Sequence, residues 1–201
     1  MIQIAVFVSG GGTNLQALID AERAGRIHSG RIALVVASKP GVYALERAEK
    51  ADIPSVVVSR RDCAGQAEFE EKILAALEKH HIDMIVLAGF LSILSADFTA
   101  RFPQRILNVH PSLIPSFCGR GFYGLKVHEA ALAYGVKVTG ATVHYVNEIP
   151  DGGQILLQKA VEILPGDTPE ILQRRVMEQA EWVLLPQAAE MVAARLEKER
   201  S

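Results

Sequence analysis

Two residues that can act on a carbonyl group stand at alternate positions in the stretch "ILNVHP": Asn108 and His110. If the strand continues to Pro111, both side chains leave the same face, because side chains alternate across a β-strand. The amide can hydrogen-bond an oxygen that becomes negative, and the imidazole can supply a proton or a positive charge beside it. Either residue alone is more readily explained by hydrogen bonds to a loop backbone. The pair together favours a catalytic site.

Asp151, in "NEIPDGGQ", is the candidate third member of such a site. It is a carboxylate on a tight turn, with two glycines after it. An aspartate in this position usually forms an Asx-turn or a cap, so a purely conformational role stays open.

The stretch "FVSGGGTNLQALID" runs from apolar residues through three glycines into a helical pattern. Such a loop presents unshielded N–H groups at the positive end of a helix dipole, which suits an anion. No lysine follows the glycines, and Leu15 stands where a dinucleotide fingerprint has its third glycine. A smaller anion such as a phosphate monoester is therefore expected, with Thr13 and Asn14 as added donors. A tight turn that binds nothing is the alternative.

The elements that must position these residues follow an alternating pattern. Apolar runs such as "IQIAVFV", "RIALVVAS" and "MIVLAGF" are separated by amphipathic stretches, which predicts an α/β fold with a doubly wound, mostly parallel, Rossmann-like sheet. "VKVTGATVHYVN" and "GGQILLQKAVEIL" predict an antiparallel carboxyl-terminal extension. A long final helix is expected to begin at Asp167 or Thr168 and to be kinked by Pro186. Ligands of such sheets bind at the carboxyl ends of the strands.

Composition limits the class of protein. The chain has 201 residues, 49% of them hydrophobic, and a formal net charge of −2, which predicts one domain and no electrostatic footprint for nucleic acid or an anionic membrane. It has neither an apolar run long enough to span a membrane nor a signal peptide, so a cytoplasmic location is expected. Cys63 and Cys118 form no C-x-x-C pair, and the spacings of Cys118, His128 and His144 match no metal-ligand pattern. Free thiols and no metal are predicted.

Four stretches carry a resemblance to a known family: "SGGGTNLQALI", "VLAGFLSILS", "LNVHPSLIPSF" and "GATVHYVNEIPDGGQILLQKAVEI". In order, and over nearly the whole chain, they resemble the phosphoribosylglycinamide formyltransferases. These enzymes of de novo purine (IMP) biosynthesis transfer the formyl group of 10-formyltetrahydrofolate to the amine of glycinamide ribonucleotide. The resemblance implies both small molecules as substrates, the folate as co-substrate, no metal, nucleic acid or membrane, and a monomer or homodimer. It also divides the single domain 1–201 into a phosphate-binding half, 1–104, and a catalytic and folate-binding half, 105–201.

The resemblance also assigns residues. The catalytic set falls on Asn108, His110 and Asp151, with the oxyanion between Asn108 and His110 and with Asp151 orienting the imidazole or an ordered water molecule. Glycinamide ribonucleotide is expected to contact five residues: Gly11, Gly12, Thr13, Asn14 and Glu181. The folate is expected to contact Gln66, Phe90, Leu91, Ser92, Ile93, Leu94, Asn108, Asn147, Glu148, Ile149 and Pro150.

The chain departs from the family in three places. Ser92 and Gln66 stand where many members have arginines that contact folate, so the contacts to its glutamate tail are expected to differ. The loop around Phe117–Tyr123 is longer than the common form and is expected to have a different shape. The last helix carries an extra residue near Glu181.

Three alternatives stay open. A formyltransferase that acts on initiator tRNA shares the fold and the Asn/His/Asp set, but it normally has a basic carboxyl-terminal domain, whereas this sequence ends at Ser201 without excess positive charge. A formyl-folate hydrolase normally has an amino-terminal regulatory domain, whereas the first strand here begins at Ile2. A nucleotide-sensing module would use the glycine loop alone and would not need the Asn/His/Asp set.

Overall fold

Continuous runs of buried aliphatic residues form the parallel part of the sheet. The computed structural model describes residues 1–200. Its first five strands pair in parallel: β1 (Ile2–Val8), β2 (Gly30–Ala37), β3 (Ser55–Val57), β4 (Met84–Leu87) and β5 (Ile106–His110). The order β3-β2-β1-β4-β5 places β1 between strands reached by crossovers in opposite directions. The predicted doubly wound sheet is confirmed, and its crevice lies beyond the carboxyl ends of β1 and β4.

Two antiparallel strands complete the sheet. β6 (Val138–Tyr145) pairs with β5, and β7 (Ile155–Glu162) pairs with β6. The predicted antiparallel extension is therefore confirmed. Thr142 lies opposite His110 and Tyr145 opposite Leu107, so β6 runs back along β5 and the turn between β6 and β7 begins near Leu107 rather than beyond His110.

In the described part of the chain, residues 1–200, seven α-helices flank the sheet: α1 (Thr13–Arg23), α2 (Tyr43–Lys50), α3 (Gln66–Lys79), α4 (Ala96–Ala100), α5 (Leu125–Tyr134), α6 (Pro169–Val176) and α7 (Trp182–Arg200). Successive residues of β1 point to opposite faces, so Ile4 and Val6 join the apolar cluster of α1 and α7. Ala5 and Phe7 join the cluster of α3 and α4. With both faces of β1, β2 and β4 buried, the centre of the sheet forms a rigid platform for the loops at its edge. Within residues 1–200, no helix is both long and apolar enough to cross a bilayer.

The carboxyl-terminal helical region is interrupted before its proline. Thr168 caps α6, its Oγ1 accepting a hydrogen bond from Ile171 N at 3.3 Å, so of the two predicted caps the threonine is used. A π-helical turn, Met177–Glu181, separates α6 from α7. Pro186 lies inside α7. The irregularity thus falls ahead of Pro186, in a wider turn at the place where one extra residue relative to the family was expected.

Candidate active site

The structure brings Asn108, His110 and Asp151 together at the carboxyl edge of the sheet. Strand β5 carries Asn108 and His110 on one face, and the β6–β7 turn carries Asp151 towards them. His110 Nδ1 lies 3.5 Å from Asp151 Oδ2. A carboxylate at this distance from an imidazole can orient the ring and stabilise a positive charge on it.

His144 is a fourth member of this polar cluster, and its spacing in the sequence, which matches no metal-ligand pattern, did not single it out. It pairs directly with Asn108 across β5 and β6, and Asn108 Nδ2 lies 3.2 Å from its Nε2. Its Nδ1 donates to the carbonyl of Tyr145 at 2.8 Å, so in the neutral ring Nε2 accepts from the asparagine. The Nε2 atom also lies 3.6 Å from Asp151 Oδ1. The antiparallel register was the signal that would have identified this residue.

The conformation of the β6–β7 turn explains its Asp-Gly-Gly sequence. Asp151 adopts a left-handed conformation with φ of 56°, which aspartate tolerates better than most residues. A Cβ atom at Gly153 would lie 1.7 Å from the carbonyl oxygen of Tyr145, so the two backbones approach as only glycine allows. The turn therefore fixes the direction of the Asp151 side chain.

Asp151 is held as a carboxylate. Burial by itself raises the pKa of Asp151, but the imidazole of His144, the charge of His110 and the N–H of Gly119 outweigh burial and lower the pKa below its usual value. Gly119 N donates to Asp151 Oδ2 at 2.8 Å. Near neutral pH this side chain is negatively charged, and it accepts hydrogen bonds rather than donating them.

The long loop Phe117–Tyr123 contacts both His110 and Asp151. His110 Nε2 donates to the carbonyl of Phe117 at 2.9 Å, and Gly119 N donates to Asp151 as described above. Loop residues also line a cleft of about 580 Å³, the main cleft, whose walls include Leu91, Ile93, Asn108, His110, Tyr123 and Asp151. This loop thus forms one wall beside the polar cluster.

A second opening, the side cleft, has a volume of about 120 Å³ and shares Asn108, His144 and Asp151 with the polar cluster. Most of the residues predicted to contact folate line it: Phe90, Ser92, Ile93, Leu94, Asn108, Asn147, Glu148, Ile149 and Pro150. Leu91 lines the main cleft instead. Gln66 lines neither, and its amide donates to the carbonyl of Ile93 at 3.0 Å. Apart from Gln66, the predicted set therefore surrounds the polar cluster.

The glycine loop, Gly10–Gly12, turns its carbonyl groups towards protein donors. Gly10 O accepts from Ala44 N at 3.2 Å, Gly11 O from Arg47 Nε at 2.8 Å, and Gly12 O from Gln16 N at 2.9 Å. The first N–H groups of α1 have no carbonyl partners within the helix, so they remain suited to an anion. No motif in the sequence singled out Arg47, since its contact with the loop depends on the packing of α2 against α1.

Asn14 and Glu181 connect the glycine loop to the π-helical turn. Asn14 Nδ2 donates to Glu181 Oε2 at 2.8 Å, and Thr13 Oγ1 lies 3.8 Å from Met177 Sδ. Glu181 is only 6% exposed. Burial raises its pKa to about 7, although the hydrogen bond from Asn14 acts in the opposite direction. Within residues 1–200, Asn14 Oδ1 is buried without a hydrogen-bond partner, so this pair has acceptor capacity left for a ligand.

His128, on α5, is fully buried near the polar cluster. Burial, and next the charge of His110, lower the pKa of His128 to about 4, so the ring is neutral near pH 7. In the part of the chain from residue 1 to 200, no group of three His, Cys, Asp or Glu side chains is arranged to hold a metal ion.

The fold and the polar cluster are those of an α/β protein that transfers a chemical group. A comparison with protein families identifies the family. The formyl transferase family matches residues 2–188. The chain belongs to this family.

Individual relatives are more specific. The chain is 43% identical over 179 residues to phosphoribosylglycinamide formyltransferase from Haemophilus influenzae, covering 89% of this chain and 82% of the relative. It is 44% identical over 192 residues to the human trifunctional purine biosynthetic protein adenosine-3. That match covers 96% of this chain but only 18% of the human protein. The crystal structure of glycinamide ribonucleotide transformylase 1 from Symbiobacterium toebii superposes with a TM-score of 0.90 at 39% identity, covering 97% of this chain and 89% of that one.

Proposed function

We propose that this protein transfers the formyl group of 10-formyltetrahydrofolate to the amine of glycinamide ribonucleotide, a step of purine biosynthesis. The observation that carries the proposal is the polar cluster of Asn108, His110, His144 and Asp151 at the junction of two clefts. A binding module would have no use for this arrangement. The names of the most similar relatives, which cover most of this chain, support the same activity.

In the proposed reaction, the neutral amine attacks the formyl carbon and the carbonyl oxygen becomes negative. Asn108 lines both clefts and uses one Nδ2 proton on His144, so its second proton is available to the oxyanion. His110, with Nε2 on Phe117 O and Nδ1 facing Asp151, contributes a positive charge when protonated.

In this proposal Asp151 assists the transfer of a proton from the amine to the leaving nitrogen. A new C–N bond forms to the glycinamide amine, the bond from the formyl carbon to N10 of the folate breaks, the amine loses a proton and N10 gains one. Asp151 is ionised and faces two imidazoles. It can therefore orient His110, or accept a hydrogen bond from a water molecule that relays this proton.

Substrate contacts are proposed for the two ends of the site. The N–H groups of Gly11, Gly12, Thr13 and Asn14 would hold the phosphate, and Glu181 would contact the ribose or glycinamide part. The side cleft, lined by Phe90, Ser92–Leu94 and Asn147–Pro150, would hold the pterin of the folate. The division into a phosphate-binding half, 1–104, and a catalytic half, 105–201, is part of this proposal. Cytoplasmic location and a monomeric or homodimeric state stay predictions.

The proposal is tested by mixing the protein with 10-formyl-dideazafolate and following absorbance. We expect the deformylated product only when glycinamide ribonucleotide is also present. Replacing that acceptor by methionyl initiator tRNA should give no transfer. Product formation without any acceptor would identify a hydrolase, and binding of glycinamide ribonucleotide without turnover would identify a nucleotide-sensing module.

A further inference from the structure

Both clefts share one wall, the segment of residues 89–95 that follows β4. We call it the wall segment. It presents two large apolar side chains with little cover: Leu91 is 57% exposed and Ile93 is 61% exposed. The wall segment is irregular, so no helix or strand hydrogen bonds fix its backbone. Its conformation must therefore be set by contacts with side chains of other elements.

The carboxylate of Glu70 is the main contact at the far end of the wall segment. It is only 8% exposed, and it lies in the second turn of α3. Its Oε1 accepts from Ser95 N and from Gln66 Nε2, each at 2.6 Å, and its Oε2 accepts from Ser95 Oγ at 2.6 Å. A buried carboxylate is tolerated when several donors satisfy it, and such charge-assisted bonds are short and strong.

Gln66 extends this network to the centre of the wall segment. The amide nitrogen that donates to Glu70 also donates to the carbonyl of Ile93 at 3.0 Å. Its Oε1 accepts from Arg60 Nε at 3.3 Å. The amide of Gln66 is therefore occupied by protein partners, and the carbonyl of Ile93 is fixed from behind while the side chain remains exposed.

A separate contact holds the other end of the wall segment. Leu91 N donates to Ser9 Oγ at 2.9 Å, and Ser9 Oγ lies 2.6 Å from Ser38 Oγ. Ser9 follows β1 and Ser38 follows β2, so this contact belongs to the sheet edge. The wall segment is thus held at Leu91 by the sheet and at Ile93 and Ser95 by α3.

We propose that Glu70 and Gln66 are positioning residues, a carboxylate–amide brace that sets the wall segment for the planar, apolar co-substrate of the clefts. Naming that co-substrate as a folate rests on the proposed function. In this chain Gln66 acts through Ile93 rather than by touching the ligand. The brace accounts for a buried carboxylate with three donors and for two exposed apolar side chains on one short segment.

The test compares three variants of the full chain. Glu70→Gln turns an amide donor towards the donors of Ser95, and Gln66→Met removes both amide donors while keeping the length of the side chain. Glu71→Gln is the matched control, because Glu71 is the exposed neighbour of Glu70 on the same helix. Amide hydrogen exchange of residues 89–95 and the KM for each substrate are measured for all three.

We expect both brace variants to speed amide hydrogen exchange in residues 89–95 by about tenfold or more, because each removes one or two hydrogen bonds that hold this segment. They should raise the KM for formyl-folate by about five- to tenfold and leave the KM for glycinamide ribonucleotide and kcat within about twofold of the parent. The control should match the parent in every measurement. Ser95 also caps α4, its Oγ accepting a hydrogen bond from Phe98 N at 3.1 Å. If Glu70 only supported this cap, its loss would instead lower the melting temperature without separating the two KM values.

The two proposals fail in different ways. Absence of formyl transfer by the parental protein would reject the proposed function, while hydrogen exchange would still report on the brace. Unchanged exchange in residues 89–95 of Gln66→Met, or equal increases of both KM values, would overturn the brace. If Glu70→Gln does not fold, Gln66→Met at the helix terminus decides the question.

Discussion

At the scale of single residues, Asp151 allows charge and backbone conformation to be tested separately. Its carboxylate faces His110 and His144, and its backbone is left-handed with φ of 56°. Asparagine adopts the same backbone and makes the same turns, but it carries no charge.

We therefore expect Asp151→Asn to keep the fold and folate binding and to lower kcat by about 10²–10⁴, the range for loss of a group that moves or orients a proton. Single-turnover formyl transfer and the folate Kd from titration measure the two effects. A single-turnover rate close to that of the parent would leave Asp151 with a conformational role only. Weaker folate binding with normal transfer would indicate contact between the turn and the pterin.

Glu181 is expected to make the stability of the protein depend on pH. Its pKa of about 7 in the folded protein lies above the usual 4.5, so the folded chain binds this proton more tightly than the unfolded chain. The stabilisation from the neutral carboxyl group is therefore complete below pH 4.5 and is lost as the pH rises through 7.

Glu181→Gln is neutral at every pH and keeps an oxygen for Asn14 Nδ2. We expect its free energy of unfolding to exceed that of the parent at about pH 8 by on the order of 3 kcal/mol, and the two to agree within about 0.5 kcal/mol at about pH 4.5. Urea unfolding at both pH values measures the difference. The same difference at both pH values would show that burial does not raise this pKa.

At the scale of elements, the glycine loop and α1 behave as one unit. The carbonyls of the loop are bound by α1 and α2, and the helix N-terminus lies beside Asn14 and Glu181. The three glycines are not equivalent. A Cβ atom at Gly11 meets nothing within 4 Å, whereas one at Gly12 would lie 2.7 Å from Ala44 Cβ on a backbone with φ of 72°.

Gly11→Val is therefore the informative variant. We expect it to fold and to raise the KM for glycinamide ribonucleotide by about tenfold or more, since its side chain occupies the space that a phosphate would enter. The KM for formyl-folate should stay within about twofold. Gly12→Val is expected to lower stability as well, so it serves as the contrasting variant. Equal effects of Gly11→Val on both KM values would contradict phosphate binding by this loop.

At the scale of the whole molecule, one sheet spans both proposed halves. The division between residues 104 and 105 falls just before β5, yet β5 pairs with β4 on one side and β6 on the other. Both clefts take walls from each half, because residues 90 and 93 line both of them together with residues 108, 150 and 151. Neither half has a complete sheet of its own.

We therefore expect a single cooperative unfolding transition for the full chain. Trp182 is the only tryptophan, and it reports on the region where α7 meets α1. Its fluorescence and far-ultraviolet circular dichroism should give the same midpoint in urea and the same m-value, as expected for two-state unfolding. Separate midpoints would divide the chain into two folding units and contradict the single domain predicted for 1–201.

The sequence by itself was enough for features that depend on neighbouring residues. Alternating apolar runs and amphipathic stretches predicted the doubly wound sheet and its antiparallel extension, and Thr168 was one of two predicted caps. Asn108 and His110 were recognisable because alternate residues of one strand share a face.

Tertiary structure alone decided the partners of these residues. His144 joins Asn108 across 36 residues of sequence, Glu181 joins Asn14 across 167, and Glu70 joins Ser95 across 25. Sequence periodicity shows which face a side chain leaves, but not which distant element lies opposite it. The charge state of a buried carboxyl group depends on that opposite element, because burial and nearby donors act on its pKa in opposite directions.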